Sequence, residues 1–229
     1  MRRLAIFDLD GTITRSDTLL RYVAGFMRRR PARLWRVSLC VLPVLQFCVT
    51  GDRGRLKGGI IRATLGGLSR ADIEAWNQPF IAQLLGGGVY AEALEQISLQ
   101  RAAGARLVLL SASPDLYVPA IAAALGFDEA ICTQVRWRSD NRLHGALASA
   151  NRRGAEKVRC VQALLHTWKP DHSCAYGNSS ADLPHMRLVS EGVYVNGPGS
   201  EVSIGDNIRR VRWHQPAVAL GATPDHNRH

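Results

Sequence analysis

The sequence predicts a doubly wound α/β fold, in which a parallel sheet carries helices on both faces and a helical insertion follows the first strand. Short apolar runs recur along the chain and end abruptly in polar residues, as buried parallel strands do. Helical patterns, most of them closed by glycine, separate these runs. The stretch between Thr14 and about Val89 shows helical periodicity alone. The alternation of strands with helices indicates the sheet, and the interruption indicates the insertion.

Five apolar runs are the predicted strands. They are LAIF, RLVLL, AIC, SCAY and GVYV, at residues 4–7, 106–110, 130–132, 173–176 and 192–195. The helical patterns between them end at Gly104, at Gly126 and before Pro170. Three parts of the chain follow from this pattern: a core, a helical cap over the sheet's C-terminal edge, and a loose C-terminal tail. The predicted core spans residues 1–14 and 89–215, the cap residues 15–88, and the tail residues 216–229.

The composition limits the classes of function. The chain has 229 residues, of which 46% are hydrophobic and 21% charged, so it can form a sizeable core and is not globally disordered. Lys and Arg outnumber Asp and Glu by 29 to 19, which favours anionic partners such as phosphorylated metabolites, nucleic acid or an acidic membrane surface. The sequence has no helix-turn-helix, zinc-finger or RNA-binding signature, so no nucleic acid is expected.

The cysteines and the apolar stretches predict a cytoplasmic protein. No C-x-x-C pair is present, and reduced thiols are expected at the five cysteines, Cys40, Cys48, Cys132, Cys160 and Cys174. Asp8 breaks the first apolar run, so no signal peptide is predicted. No stretch reaches the ~18 uninterrupted apolar residues of a membrane span. The nearest, residues 37–51, is too short and contains Pro43.

Three of the predicted strands end in clusters of polar residues. The clusters are DLDGT at residues 8–12, SAS at residues 111–113 and GNSSAD at residues 177–182. In an open α/β sheet, ligands bind outside the carboxyl ends of the strands. We therefore expect the three clusters to form one site at that edge.

The first cluster has the residues for covalent phosphate chemistry. Asp8 directly follows a strand, and a rigidly held carboxylate can attack phosphorus to form an acyl-phosphate. Asp10 is placed to protonate a leaving alkoxide and later to activate water. Two neighbouring carboxylates repel each other and need a cation, and Mg²⁺ suits both carboxylate and phosphate oxygens. Gly11 allows a close approach of the backbone to phosphate, and Thr12 is either a phosphate-site hydroxyl or a turn residue.

The later motifs supply binding groups. Ser111 and Ala112 precede a predicted helix, where a hydroxyl and backbone N–H groups form an anion site. Lys157, near the start of its helix, can neutralise both the nucleophile and the phosphoryl group. Asn178 and Asp182 offer hard oxygen ligands to a metal, directly or through water. Each residue alone is more often a cap, a turn residue or a solvated lysine, but the ordered set favours the functional interpretation.

DLDGT, SAS, the lysine of GAEK and GNSSAD together resemble the four ordered motifs of the haloacid dehalogenase (HAD) superfamily of phosphohydrolases, over residues 4–197. The insertion is similar to that superfamily's C1-type cap. Within the superfamily the chain is most similar to subfamily IB, the phosphoserine phosphatase-like and phosphatidylglycerophosphatase C-like branch. The resemblance implies a Rossmann-like core and Mg²⁺ as cofactor. It also implies the following roles: Asp8 as nucleophile, Asp10 as general acid/base with its backbone carbonyl near the metal, Ser111 and Lys157 as phosphate ligands, and Asn178 and Asp182 on the metal side.

Departures from the family's patterns bear on the metal and the substrate. Many HAD members carry aspartate at the position of Asn178, so either Asn178 or Asp182 is the direct metal ligand, and we expect weaker metal affinity. Phosphoserine-specific relatives carry glutamate where this chain has Asp17 and serine where it has Gly11. Asp17 is therefore a candidate substrate contact, with a helix-capping acid as the alternative. Both departures weaken a phosphoserine assignment.

The cap contains a basic stretch, FMRRRPARLWRV at residues 26–37, which precedes an apolar run. It is either a solvated helix end or a peripheral contact with lipid headgroups at the inner face of the membrane, because a basic, aromatic-flanked apolar helix can lie in a membrane interface. The sequence thus predicts a Mg²⁺-dependent phosphomonoester hydrolase acting on a small or lipid-headgroup phosphate. The alternatives are a phosphoserine-type phosphatase, a phosphotransferase or a non-catalytic basic module, and the oligomeric state is not predicted.

Overall fold

The computed structural model of the chain describes residues 1–197 and 204–217. In these residues, six strands form one parallel sheet and two strands form a separate antiparallel hairpin. The strands are β1 (Arg3–Phe7), β2 (Ala105–Pro114), β3 (Glu129–Thr133), β4 (Val135–Trp137), β5 (Leu143–Leu147), β6 (His172–Gly177), β7 (Glu191–Val195) and β8 (Ile208–Val211). The helices are α1 (Thr18–Arg29), a 3₁₀ helix (Pro31–Cys40), α2 (Val41–Thr50), α3 (Arg53–Leu65), α4 (Arg70–Leu85), α5 (Ala91–Ala102), α6 (Val118–Ala124), α7 (Ala155–Trp168) and α8 (Leu183–Met186).

The order of the strands places β1 in the middle of the sheet. The order is β3-β2-β1-β6-β7-β8, and every neighbouring pair is parallel. The chain extends the sheet from β1 to β3 on one side and from β6 to β8 on the other. The direction reverses between β1 and β6, and such a switch point opens a crevice at the carboxyl ends of the two strands. The predicted doubly wound α/β fold is confirmed.

Strand β1 is apolar on both faces because helices cover both faces of the sheet. Ala5 and Phe7 enter one apolar cluster, and Leu4 and Ile6 enter the other. Each of the four is at most 1% exposed. Phe7 also stacks on Tyr176 of β6 with ring centroids 4.1 Å apart. The residue that follows β1 is therefore attached to one of the most firmly packed elements of the molecule.

The helices from α1 to α4 occupy the stretch where the sequence predicts a helical cap. The β4–β5 hairpin lies against them, since Leu143 exchanges backbone hydrogen bonds of 2.8 Å with Gly67 and Leu68. The hairpin follows β3 in the chain, so a segment assigned to the core packs on the cap. The division of the chain at residues 14 and 89 remains a proposal.

The sequence analysis missed three strands, β4, β5 and β8. Strand β4 has only three residues, VRW, and strand β8, IRRV, carries two exposed arginines at the edge of the sheet. Charged side chains are common on edge strands because they prevent pairing with other chains. A search for apolar runs does not detect strands of this kind.

The first two residues of the predicted loose tail, Pro216 and Ala217, contact the core. Pro216 forms an isolated bridge with Tyr90, and the Ala217 N–H donates to the Val89 carbonyl at 3.1 Å. Ala217 is buried in the same apolar cluster as Val89. A small apolar residue and one backbone hydrogen bond thus attach this segment to the core. The rest of the predicted tail, residues 218–229, lies outside the described residues.

The cap contains a helical stretch of membrane-spanning length, although Arg33 and Arg36 interrupt its apolar residues. The stretch Pro31–Thr50 is helical over 20 residues and is long and apolar enough to cross a membrane, judged by length and composition alone. Pro43 does not interrupt it, because it is the third residue of α2, and a proline in the first turn removes an N–H that has no partner within that helix. None of the 20 residues is buried.

Candidate active site

The polar clusters at the carboxyl ends of β1, β2 and β6 meet at one cavity of about 420 Å³ at the switch point. Helices α1 and α3 close the cavity from the opposite side. Residues of all three clusters and of α7 line it, namely Asp8, Asp10, Gly11, Ala112, Ser113, Lys157, Asn178, Ser179 and Asp182. The fold therefore brings together residues that lie far apart in the sequence.

A buried chain of ion pairs crosses the cavity floor. Lys157 Nζ lies 2.7 Å from Asp8 Oδ1 and 2.6 Å from Asp182 Oδ1. The three residues are only 3%, 7% and 2% exposed, respectively. Lys157 is in the first turn of α7, while the two aspartates follow β1 and β6. Because each charge is paired without access to bulk water, removing one of them leaves the others uncompensated.

The three groups shift each other's pKa values in different directions. Burial raises the pKa of Asp8 to about 6; Asp182 and Asp10 add to this effect, and Lys157 opposes it. Burial also acts to raise the pKa of Asp182, but Lys157 and the Ser179 hydroxyl hold that pKa at about 2. Burial acts to lower the pKa of Lys157, but Asp8 and Asp182 outweigh it and raise the pKa overall. Lys157 therefore stays protonated between the two carboxyl groups.

Asp10 does not take part in the ion pairs of Lys157 and accepts two hydrogen bonds from other residues. The Thr18 N–H, at the start of α1, donates to Asp10 Oδ1 at 2.6 Å, and the Ser113 hydroxyl donates to Oδ2 at 2.5 Å. Burial and the nearby Asp17 raise the pKa of Asp10, and the two hydrogen bonds oppose that rise. The sequence analysis did not single out Ser113. The available signal was its spacing, since residues two apart in a strand share a face with each other, here with Ser111.

The turn after Asp8 brings the backbone against Asn178. Gly11 has a φ of +81°, and a side chain at this position would overlap the Asn178 amide. Only glycine meets both requirements without strain. Thr12 is fully buried and its hydroxyl donates to Asp8 Oδ2 at 3.3 Å. The Thr12 hydroxyl thus supports the Asp8 carboxylate directly.

Ser111 and Ala112, the predicted phosphate ligands, still belong to strand β2. The strand continues to Pro114 instead of ending at residue 110, and α6 begins only at Val118. The expectation that a helix begins at PDLYV, residues 114–118, is therefore wrong. The physical reason is that β2 pairs with β3 again at Pro114, which lies beside Thr133, after an irregularity in the register between Leu110 and Pro114.

The two residues differ in their exposure to the cavity. Ser111 is fully buried, and its hydroxyl accepts a hydrogen bond from the Ser113 N–H at 3.0 Å. Ala112 lines the cavity, and its carbonyl accepts from Lys57 Nζ and from the Thr133 hydroxyl. A role for either residue in phosphate binding stays a prediction.

Asp17 is the N-cap of α1. Its Oδ1 accepts from the Leu20 N–H at 3.0 Å, so the helix-capping alternative describes its present contacts. The residue also lines the cavity. Contact between Asp17 and a substrate stays a prediction.

Four positively charged residues line the cavity, and the sequence analysis identified only Lys157. Arg53 and Lys57 come from the same face of α3, and Arg153 comes from the loop before α7. On a helix, Arg53 and Lys57 look like ordinary solvated cations, so the sequence held no signal for them. Arg153 lies four residues before Lys157, and that proximity was the one usable signal.

Lys57 links the cap helix α3 to the core. Its Nζ donates to the Ala112 carbonyl and to Asn151 Oδ1, the latter at 3.1 Å. Burial lowers the pKa of Lys57 to about 8, against the opposite effect of Asp10 and Asp17. Lys57 is therefore charged at neutral pH and loses its charge in mildly alkaline solution.

The oxygen donors at the cavity floor fit a hard divalent cation. Asp8 and Asp182 supply carboxylates and Asn178 an amide oxygen, which are ligands that Mg²⁺ accepts. Burial is the largest cause of the raised pKa of Asp8, and Asp182 and Asp10 add negative charge nearby that a cation would offset. Within residues 1–197 and 204–217 no three His, Cys, Asp or Glu side chains form a ready metal-binding group. Both Asp182 oxygens accept hydrogen bonds, one from Lys157 and the other from Ser179.

The chain is similar in sequence to a described protein and to a family model. Residues 5–187 match the model of the haloacid dehalogenase-like hydrolases. Protein CicA of Caulobacter vibrioides (strain NA1000 / CB15N) is 31% identical over 195 residues, which cover 83% of this chain and 85% of that protein. The family match includes the three polar clusters and Lys157.

Solved structures of low sequence identity share the fold. A protein of unknown function from Bordetella pertussis Tohama I has a TM-score of 0.70 at 24% identity, over 86% of this chain and 92% of that chain. A phospho-aspartyl intermediate analogue of phosphoserine phosphatase has a TM-score of 0.58 at 15% identity, over 86% of this chain and 87% of that chain. The resemblance drawn from the four motifs is thus confirmed for the family, and the chain shares its fold with phosphoserine phosphatase. The chain belongs to the haloacid dehalogenase-like hydrolase family.

Proposed function

We propose that this hydrolase is a Mg²⁺-dependent phosphomonoester phosphatase that works through an aspartyl-phosphate on Asp8. One observation carries the proposal: two carboxyl groups, two residues apart, are held in one cavity by different partners. Lys157 and Thr12 bind Asp8, while Ser113 and Thr18 bind Asp10. Separate environments of this kind allow one carboxylate to act as nucleophile and the other to transfer protons.

The reaction has two steps. The Asp8 carboxylate attacks phosphorus, the bond between phosphorus and the ester oxygen breaks, and Asp10 gives its proton to the leaving alkoxide. Asp10 then takes a proton from a water molecule that attacks the acyl-phosphate, which releases inorganic phosphate and restores Asp8. The raised pKa of Asp10 supports this double use, because a group that both gives and takes a proton works best when its pKa lies near the ambient pH.

The remaining residues bind the phosphoryl group and the metal. We assign phosphate binding to Lys157, with contributions from the main chain at Ala112 and from Ser111 and Thr12. The metal would be held by Asp8, Asn178 or Asp182, and the Asp10 backbone carbonyl. When bound, Mg²⁺ supplies positive charge that offsets the charge of the phosphate oxygens.

The cavity supports a small or lipid-headgroup phosphate monoester as substrate. Besides its cations, it has an apolar side formed by Leu19 and Leu20 of α1 and by Leu56 and Ile60 of α3. Leu20 is 60% exposed. A ligand with a phosphate at one end and an apolar part at the other matches this division. Phosphoserine is the alternative small-metabolite substrate, and transfer of the phosphoryl group to an acceptor other than water would use the same residues.

The proposal also includes a cytoplasmic location. It is supported by the five cysteines, all of which are free thiols, as expected in a reducing compartment.

A panel assay of phosphate release tests the proposed function. The panel contains p-nitrophenyl phosphate, phosphoserine and phosphatidylglycerophosphate, each with Mg²⁺ and with a chelator. Asp8→Asn is the test variant, and Asp140→Asn, at an aspartate about half exposed, is the matched control. We expect release that requires both Mg²⁺ and Asp8 and that Asp140→Asn leaves unchanged. Release by Asp8→Asn at the unmodified rate would contradict the proposal. If no panel member reacts, Asn178→Asp tests whether the metal site limits turnover.

A further inference from the structure

The stretch Pro31–Thr50 presents a long apolar surface to solvent. Most of the exposed large apolar side chains in the described chain belong to it; they are Leu34, Trp35, Val37, Leu39, Val41, Leu42, Val44, Leu45 and Val49, each between 44% and 87% exposed. The others, Met1, Leu20, Leu99 and Leu188, are scattered. Isolated exposed apolar residues are ordinary, but a contiguous patch of this size marks an interaction surface.

A regular stripe of partly buried residues attaches this stretch to the cap. The stripe consists of Arg33, Arg36, Cys40, Pro43 and Phe47, which follow one another at spacings of three and four residues. That spacing places them on one side of a helix. All other residues of the stretch are exposed. The apolar surface is therefore the outer side of an element whose inner side is already occupied.

The inner side is fastened to α3 and the turn after it. Arg33 donates to the Gly66 carbonyl at 3.0 Å, and Arg36 donates to the Ala63 carbonyl at 2.8 Å. Pro43 packs so closely on Gly59 that a side chain at position 59 would overlap it. These contacts run along α3 and hold the apolar stretch beside it.

The charge around the apolar surface has one sign. Between Asp17 and Asp52 the chain has no acidic residue, whereas it has six arginines, Arg21, Arg28, Arg29, Arg30, Arg33 and Arg36. Those at 28, 29 and 30 are exposed at the start of the apolar stretch. Trp35 is 64% exposed, with the Arg36 guanidinium 5.8 Å from its ring centroid. Basic residues and an exposed tryptophan beside an apolar helix match an anionic lipid surface.

We propose that the outer side of Pro31–Thr50 docks on an anionic membrane and lies in the plane of its interface. The stretch does not cross the bilayer in this arrangement, because Arg33 and Arg36 bind to α3, and α3 carries further cations that would have to enter the hydrocarbon. Both ends of the stretch continue into cap helices that contact each other, α1 and α3. An apolar face with charged flanks then enters only the headgroup and upper acyl region.

The docking surface and the cavity share helix α3. One side of α3 packs on the apolar stretch through Gly59, and another side lines the cavity with Leu56, Lys57 and Ile60. Docking therefore holds the cavity near the membrane. The docking itself does not depend on the proposed chemistry in the cavity.

Vesicle co-sedimentation of the full chain tests the proposal. Vesicles rich in phosphatidylglycerol are compared with pure phosphatidylcholine vesicles, at low and at high salt. The Asp8→Asn form is included so that binding is measured without turnover, and it should bind like the unmodified chain. We expect binding to the anionic vesicles that weakens with salt. Leu42→Glu with Leu45→Glu should weaken it about tenfold or more, because two exposed leucines no longer enter the interface.

Two further variants sharpen the test. Leu99→Glu changes a similarly exposed leucine on α5 and should leave binding unchanged. Arg28→Ala with Arg30→Ala should weaken binding about fivefold per arginine while keeping the apolar surface. Phosphate release from a water-soluble ester by Leu42→Glu with Leu45→Glu should equal that of the unmodified chain, so failure of docking and failure of the chemistry are separated. Absence of binding to anionic vesicles would overturn the proposal. It would also be overturned by a homodimer in sedimentation velocity that Leu42→Glu with Leu45→Glu dissociates, because the surface would then pair with a second copy.

Discussion

Replacing Ser113 with alanine removes the hydroxyl that donates to Asp10 Oδ2 at 2.5 Å. Ser113 is only 3% exposed, so water does not readily take the place of the lost donor. The Thr18 N–H still holds Oδ1 at 2.6 Å. The carboxyl group of Asp10 is thus kept in the cavity but is free to rotate about its remaining contact. The defect should appear in proton transfer and not in folding.

The magnitude follows from the strength of one hydrogen bond to a charged group. Such a bond contributes about 1.5–3 kcal/mol, and each ~1.4 kcal/mol corresponds to a factor of ten in rate. Because the Thr18 N–H retains part of the orientation, we expect the lower end of this range. For an alkyl phosphate, Ser113→Ala should lower kcat/KM by about 10- to 30-fold.

The leaving group separates a role in proton transfer from a general disturbance of the site. An alkoxide needs a proton to leave, whereas p-nitrophenolate leaves without one. The value of kcat/KM reports the steps up to the first irreversible one, here formation of the aspartyl-phosphate. Ser113→Ala should therefore lower kcat/KM much less for p-nitrophenyl phosphate than for the alkyl ester.

The pH profile gives a second readout. Because the Ser113 hydroxyl lowers the pKa of Asp10, its removal raises that pKa further. The first step needs protonated Asp10, so the alkaline fall of kcat/KM should move to higher pH. Ser149→Ala is the matched control, because it removes a serine hydroxyl that binds only the Gln134 N–H and the Ala150 carbonyl, away from the cavity. Equal losses for both esters, or a Ser149→Ala defect as large as that of Ser113→Ala, would contradict a role of Ser113 in proton transfer.

Three further changes test other parts of the site. Lys157→Met leaves Asp8 and Asp182 buried without their cation, so it should abolish turnover and lower the free energy of unfolding by about 3–5 kcal/mol; urea denaturation that matches the unmodified chain would contradict this. Lys57→Met should raise KM for an anionic substrate about tenfold at pH 7. The pKa of Lys57 is about 8, so the KM of the unmodified enzyme should increase at pH values above 8 and approach the pH-independent KM of the variant. If the ratio of the two KM values stays constant across the pH range, a role for this charge is excluded. Gly11→Ala combines a φ of +81° with a steric overlap, so it should destabilise the fold by at least ~1 kcal/mol and reduce phosphate release, as measured by thermal unfolding and kinetics.

The parts of the fold predicted from the sequence are those in which burial alone decides the structure. The five predicted strands are short, apolar on both faces and followed by polar residues, and all five are in the sheet. Their carboxyl ends share one edge in any parallel sheet, so Asp8, Ser111 and Asn178 could be expected together before their positions were known. The edge strand β8 was missed because its arginines face solvent.

The parts of the site that the sequence left undetermined depend on contacts between distant segments. Lys57 reaches the Ala112 carbonyl across 55 positions of sequence, and a helical pattern cannot show which cation turns inward. Ser113 was predictable as a residue of the SAS cluster, but its bond to Asp10 depends on how far β2 remains extended. Pro43 was taken as evidence against a membrane-length helix, although at the third position of a helix it is compatible with helical structure.

Identification of the covalent intermediate tests most directly whether Asp8 is the nucleophile. The enzyme is mixed with substrate and Mg²⁺, quenched in acid within the first turnover, and analysed by intact-protein and peptide mass spectrometry. We predict one added phosphoryl group, located on Asp8, that hydroxylamine removes and that Asp8→Asn cannot form. Rapid phosphate release with no phosphoryl group on the protein, or with the group on another residue, would contradict the assignment of Asp8 as the nucleophile.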